Sequence, residues 1–350
     1  MVMENSNEKK NYVKHFFPNI PDGQSVDIDD NSVLNNKHLT FTADLGGDLK
    51  GTIFAGHGTE GYSAAYLEIT ENKLRILHDY AGIRVTSDVE HGLNITGFIT
   101  VNIDVGYGMA TVTVMSRDGM YQFKGQWAGR FGKVFIKPEG LSLGNVKAVW
   151  FSDDYKKDIY MIGDSYFNTA DPNRWPHYLI RDGYKNHFMT GYPGMDCARG
   201  LFDFKLSLER GTPKFAVWCV GMNNADTKDE INASYLATTS EFLKICRERG
   251  ITPILSTIPS TPDRYNHKKN DWVRAQGVRY IDFERAVGCT YSEENFCKSY
   301  VLPDGREAKN LTGYDWYPGM LNKDITHPII LGAQALYMQA LIDFPEIMED

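Results

Sequence analysis

Four short segments of the chain carry residue types that together suit acyl transfer, three of them directly after an apolar run and the fourth directly before one. Gly163-Asp164-Ser165-Tyr166 follows DIYMI and presents a serine hydroxyl on a glycine-led turn. Asp324-Ile325-Thr326-His327-Pro328 precedes the helical run IILGAQALYMQALIDF. A serine hydroxyl is a weak nucleophile at its ordinary pKa. It needs a neutral imidazole to take its proton and a carboxylate to fix the imidazole's tautomer, and Asp324 and His327 on one loop supply both. Gly191-Tyr192-Pro193-Gly194-Met195 follows NHFMT, and Gly221-Met222-Asn223-Asn224 follows PKFAVWCV. Acyl transfer builds negative charge on a carbonyl oxygen, so N–H donors beside the nucleophile are the other requirement. The Gly194 backbone amide and the Asn223 side-chain amide are the candidates, with Gly191 as the competing glycine. Taken singly, each segment reads equally as a helix cap or a loop turn.

In order, the four segments resemble the blocks of the SGNH (GDSL-type) hydrolases. The resemblance covers about residues 157 to 345. It implies a serine esterase on a flavodoxin-like three-layer α/β fold. Ser165 is then the nucleophile, His327 the base and Asp324 its orienting carboxylate. The Ser165 N–H, Gly194 N–H and Asn223 side chain form the oxyanion hole. Two departures stand out: Tyr166 occupies the usual leucine position, and Asn224 replaces an acid.

The elements that must position these groups fall into two halves. From about Lys37 to Trp150 the chain alternates apolar and polar residues with period two, as in LTFTADL, YSAAYLEIT and MATVTVMS. Gly46-Gly47, Glu71-Asn72 and Arg117-Asp118-Gly119 punctuate these runs. The pattern predicts antiparallel strands in an all-β sandwich of jelly-roll type. From about Lys157, compact apolar strands alternate with helix-spaced segments, which requires crossovers and a parallel sheet. Such sheets bind ligands beyond the carboxyl ends of their strands, where three of the four segments lie. The expected division is an accessory sandwich over residues 1–154 and a catalytic domain over 155–350.

Composition narrows the partners. The 350 residues carry a net charge of −8 with 42% hydrophobic and 23% charged residues, which disfavours nucleic acid and gives no run long enough for a membrane span. The polar N-terminus MVMENSNEKK predicts a cytoplasmic chain as written, export requiring a leader already removed. Five scattered cysteines suit reduced thiols, Cys289 and Cys297 being the one pair placed to bridge. No metal and no cofactor is expected.

Three further motifs fail on context. Gly140-Leu141-Ser142-Leu143-Gly144 matches a nucleophile elbow, but a strand-like run, NVKAVWF, follows it. Gly56-His57-Gly58-Thr59-Glu60-Gly61 matches a dinucleotide fingerprint but also precedes a strand. Asp27-Ile28-Asp29-Asp30-Asn31 begins like a calcium loop, but Ser32 and His38 stand where glycine and glutamate belong. Tyr314, Asp315, Trp316 and Tyr317 precede the Asp324 loop, suiting either a sugar ring or the anchoring of a long loop. The predicted substrate is a small acyl ester, most plausibly acetyl on a carbohydrate. The alternatives are a longer-chain lysophospholipid or thioester, and glycan binding by a vestigial enzyme.

Overall fold

The computed structural model describes residues 12–29, 37–44, 52–59, 63–69, 73–80, 83–90, 95, 97–106, 109–126, 133–151, 157–167, 173–184, 186–191, 193–208 and 211–349. The chain forms two compact units, Met1–Lys156 and Lys157–Asp350. Among the described residues no helix is long and apolar enough to cross a membrane.

The first unit holds two six-stranded sheets, antiparallel throughout. One runs in the order Tyr12–Ile20, Leu143–Phe151, Lys37–Asp44, Phe98–Gly106, Met109–Ser116, Gly119–Gln126. The other runs Val26–Asp29, Lys133–Glu139, Thr52–Thr59, Ser63–Ile69, Lys73–Tyr80, Ile83–Glu90. Leu39, Phe41, Val101, Ile103, Val112 and Val114 of the first sheet share one buried cluster with Ala65, Leu67, Leu74, Ile76 and Ile136 of the second. This is the signature of a sandwich, in which alternate residues of each strand turn inward.

The period-two reading misses several strands. Tyr12–Ile20 and Val26–Asp29 precede the segment where clear alternation begins, and the first of them pairs along most of its length with the last strand of the unit. The Arg117-Asp118 turn joins two strands as expected. Gly46-Gly47 and Glu71-Asn72 lie outside the described residues. The segment 140–144 leads from Lys133–Glu139 of one sheet into Leu143–Phe151 of the other, with Gly140 at φ +82° and its N–H donated to the Asp22 carboxylate. Gly56 to Thr59 belong to a strand and the next described element, Ser63–Ile69, is another. The continuation of the calcium-loop match beyond Asp29 is not described until Lys37.

The second unit is built on a five-stranded parallel sheet: β1 (Ile159–Gly163), β2 (His187–Gly191), β3 (Phe215–Cys219), β4 (Thr252–Ser256) and β5 (Arg279–Ile281). Its order is 2-1-3-4-5, with every neighbouring pair parallel. All five residues of β1 and of β2 are buried, so both sheet faces are covered in a three-layer arrangement. The covering helices are α1 (Trp175–Arg181), α2 (Cys197–Leu208), α3 (Ala233–Arg249), α4 (His267–Ala275), α5 (Phe283–Ala286) and α6 (Ile330–Asp343). Trp218 of β3 stacks on Phe242 of α3 with ring centroids 4.6 Å apart, and Phe204 of α2 packs on the same ring. Each such fully buried aromatic contributes about 1.5–3 kcal/mol.

Helix α3 begins at Ala233, where the Asn232 side chain accepts the Tyr235 N–H and starts the first turn. It ends where expected, at Gly250 with φ +68°. Helix α4 carries no clear apolar period in HKKNDWVRA and is not evident from sequence. Neither are the two small two-stranded sheets, Thr290–Tyr291 with Tyr314–Asp315 and Ser299–Val301 with Glu307–Lys309, inserted after α5.

Candidate active site

The turn after β1 leaves Ser165 6% exposed at the carboxyl edge of the sheet. The glycine before it is required by packing: a Cβ on Gly163 would lie 2.2 Å from the Phe167 side chain. Asp164 is buried, and its carboxylate accepts N–H bonds from Tyr166 at 3.1 Å and Met222 at 3.1 Å. It therefore ties the serine's turn to the loop after β3. Burial pushes the Asp164 carboxyl above the usual range, against these backbone N–H bonds and the charge of His327.

His327 Nε2 lies 2.8 Å from Ser165 Oγ, and His327 Nδ1 lies 2.8 Å from Asp324 Oδ2. The other carboxylate oxygen accepts the backbone N–H groups of Thr326 at 3.0 Å and His327 at 2.9 Å. A carboxylate beside Nδ1 places the ring proton there, so Nε2 presents a lone pair and Ser165 donates its hydroxyl proton to it. Ile325, between these residues, has φ +56°, a costly conformation for a β-branched side chain. That reversal aims two successive N–H groups at one oxygen. Tertiary bonds hold it: Tyr166 Oη donates to the Thr326 carbonyl at 2.5 Å, Asn322 N–H to the His327 carbonyl at 2.8 Å, and Arg174 to the Pro328 carbonyl at 2.9 Å. Tyr166, the departure from the usual leucine, thus links the nucleophile's turn to the base's loop.

Burial alone would raise the Asp324 carboxyl, but hydrogen bonds from the His327 ring, the His327 N–H and the Thr326 N–H outweigh it and hold the group at about 2. A carboxyl depressed on folding stabilises the native state above its unfolded value, ordinarily about 3.9, and loses that contribution as pH falls through the folded value. The difference in melting temperature between wild type and Asp324→Asn is therefore expected to be constant from about pH 5 to 8 and to shrink below about pH 4. A difference unchanged down to pH 2 would contradict this.

The remaining sequence-selected groups adjoin one another. Asn223 Nδ2 donates to the Met195 carbonyl at 2.9 Å, which brings the Gly194-Met195 segment beside the asparagine. Gly194 has φ +77° with open space where a Cβ would point, so backbone conformation requires the glycine. Gly191 has a different reason: a Cβ there would stand 2.9 Å from the Gly163 carbonyl and 2.8 Å from the Phe167 ring. Asn224 accepts the Cys197 N–H at 2.9 Å and caps α2, a task its neutral amide performs without the acid it replaces.

Sequence reasoning missed Lys269 and Arg264. Lys269, fully buried in the first turn of α4, donates to the carbonyls of Gly221 at 2.8 Å and Asn224 at 2.5 Å and lies 3.6 Å from the buried Asp226 carboxylate. Arg264 donates to Met222 O and Asn223 Oδ1. No local pattern announces either one. Trp316 is buried, donating to Ser260 O and lying edge-to-face on Tyr166, while Tyr314 stacks on His267. Both anchor the loop; Tyr317 is 57% exposed, with one part of its ring laid against Gly288. All five cysteines are free thiols.

No protein-family model and no curated protein matches the chain. Among solved structures it is similar to a GDSL-like lipase from Bacteroides thetaiotaomicron, at 16% identity over 54% of this chain and 87% of that one, with a TM-score of 0.37. It is similar to TesA at 18% identity over 54% of this chain and 98% of that one, with a TM-score of 0.38. A third similarity is to sheep galectin-11, at 10% identity over 37% of this chain and 99% of that one, with a TM-score of 0.29.

Proposed function

We propose that the chain is a serine esterase that hydrolyses a small acyl ester, acetyl on a carbohydrate being the leading substrate. The observation that carries this reading is the unbroken chain of two 2.8 Å contacts from Ser165 through His327 to Asp324. Ser165 Oγ attacks the ester carbonyl while His327 Nε2 takes its proton. The negative charge formed on the carbonyl oxygen is met by the Asn223 Nδ2 donor and the N–H groups of Ser165 and Gly194. Collapse breaks the bond to the alcohol, which leaves with the proton from His327. Water then attacks the acyl-serine, giving its proton to His327, and the carboxylic acid departs as the proton returns to Ser165.

A cleft of about 580 Å³ supports a sugar substrate. Its lining includes Tyr317, the Lys298–Asp315 ion pair, Asn322 and Lys323, the last two running directly into Asp324; Ser165 and His327 are not part of it. A second reading, a longer acyl chain, is favoured by Ile329, Ile330 and Leu331, three consecutive exposed apolar residues just past His327.

Hydrolysis of p-nitrophenyl acetate, butyrate and octanoate separates the two. Turnover greatest on acetate and reduced about a million-fold in Ser165→Ala is expected. Turnover rising with chain length would replace the first reading by the second, and turnover retained in Ser165→Ala would sink both.

A further inference from the structure

We propose that Arg264 is a positioning residue for the oxyanion donor: it holds the Asn223 side-chain amide in the orientation that keeps its NH2 group available to the developing negative charge. The inference rests on the proposed role of Asn223. The two ends of an asparagine amide are nearly the same size, and a half-turn about the last bond would replace a donor by an acceptor. At an oxyanion that exchange turns attraction into repulsion, so a site using this amide needs neighbours that reject the flipped state.

Two neighbours do so here. The Met195 carbonyl can only accept, and it takes Nδ2 at 2.9 Å. The Arg264 guanidinium can only donate, and its Nη1 lies 3.3 Å from Oδ1 and 3.1 Å from the Met222 carbonyl. Flipping Asn223 would oppose two acceptors on one side and two donors on the other. One Nδ2 hydrogen is committed to Met195, which leaves the second for substrate. The cation also draws electron density toward Oδ1, strengthening the Nδ2 donor.

Arg264 is itself held. Its backbone bridges Thr261 in both directions, at 3.0 Å and 3.2 Å, and its Nε lies 3.6 Å from the Asp263 carboxylate. Asp263 accepts hydroxyl bonds from Thr261 at 2.6 Å and from Thr326, the residue before His327, at 3.3 Å. One tight turn therefore connects the oxyanion amide with the loop of the base.

The test is a double-mutant cycle on p-nitrophenyl acetate, with kcat and KM measured for Asn223→Ala, Arg264→Met and the pair, and with thermal melting to establish folding. Asn223→Ala is expected to lower kcat about 100- to 1000-fold. Arg264→Met is expected to lower kcat about 10- to 30-fold with KM changed less than about threefold, Arg264→Lys recovering part of the loss. In the Asn223→Ala background, Arg264→Met should change kcat less than about twofold. Equal losses in both backgrounds, or a raised KM at unchanged kcat, would overturn the positioning role while leaving the oxyanion reading intact. Unchanged kcat in Asn223→Ala would overturn the oxyanion reading and this inference with it. Should Arg264→Met fail to fold, Arg264→Gln, which keeps an NH2 donor, enters the same cycle.

Discussion

Ser165→Ala, His327→Ala and the double variant are expected to fall to one common floor, each about a million-fold below wild type in kcat. The proposed mechanism has a single proton path. Ser165 Oγ has one acceptor for its proton, the Nε2 atom 2.8 Å away, and that nitrogen is a base only because Asp324 holds the proton on Nδ1. Removing either end abolishes covalent catalysis, and removing the second costs nothing more. Residual turnover, roughly a thousand-fold above the spontaneous rate, then belongs to the oxyanion donors and substrate binding. Multiplicative losses would show that serine and histidine act in separate steps, contrary to the mechanism drawn from this geometry. Asp324→Asn should stand higher, at a loss of about ten-thousand-fold, because the ring survives in the wrong tautomer.

Lys269→Met is expected to destabilise the second unit by about 3–5 kcal/mol, read as a fall of roughly 6–20 °C in melting temperature. Lys269 is fully buried and its ammonium faces two carbonyls and the Asp226 carboxylate. Burial lowers the pKa of the ammonium, with the Asp226 charge pulling it back up. Methionine fills a similar volume but takes the ammonium from the Asn224 carbonyl, leaves the Gly221 carbonyl with the Asn224 N–H at 3.1 Å, and leaves a buried carboxylate without its cation. That carboxylate keeps only the backbone N–H groups of residue 269, at 2.9 Å, and Asn232, at 3.1 Å. The magnitude reflects breaking the pair rather than its net worth, so Lys269→Met combined with Asp226→Leu should recover part of the loss. Denaturant unfolding monitored by tryptophan fluorescence measures it; a change below about 1 kcal/mol would show that water enters and solvates the aspartate. Because the same ammonium holds the segment bearing Asn223, kcat should fall with stability in the single variant.

The groups proposed to meet the substrate and those that hold them differ in how they can be read. Ser165, Asn223, Asp324 and His327, the groups proposed to do the chemistry, stand out in sequence because acyl transfer fixes their types, and the structure brings Ser165, His327 and Asp324 into hydrogen-bond contact. Lys269, Arg264 and Tyr166 act through contacts spanning some 40 to 160 residues, which no local pattern encodes. Gly191 and Gly194 looked equivalent in sequence; coordinates separate them, one excluded from larger side chains by Phe167 and the other by backbone conformation alone. The parallel sheet was legible from its compact strands, whereas α4 and the small sheets after α5 carry too few periodic residues to declare themselves. In the sandwich the first strand was missed because its partner is the last, a pairing decided by closure rather than by local alternation.

The reversed backbone at Ile325 bears on how the protein is made. A residue at φ +56° does not settle there unaided, and the bonds that keep it reach back to Tyr166 and Arg174. The base stands 162 residues after the nucleophile. At a synthesis rate of about 5–20 residues per second, the serine emerges roughly 8–32 s ahead of its partner. Throughout that interval the Ser165 hydroxyl lacks the imidazole partner it has in the folded unit. On the proposed mechanism the path from Ser165 through His327 to Asp324 is complete only when this last loop docks.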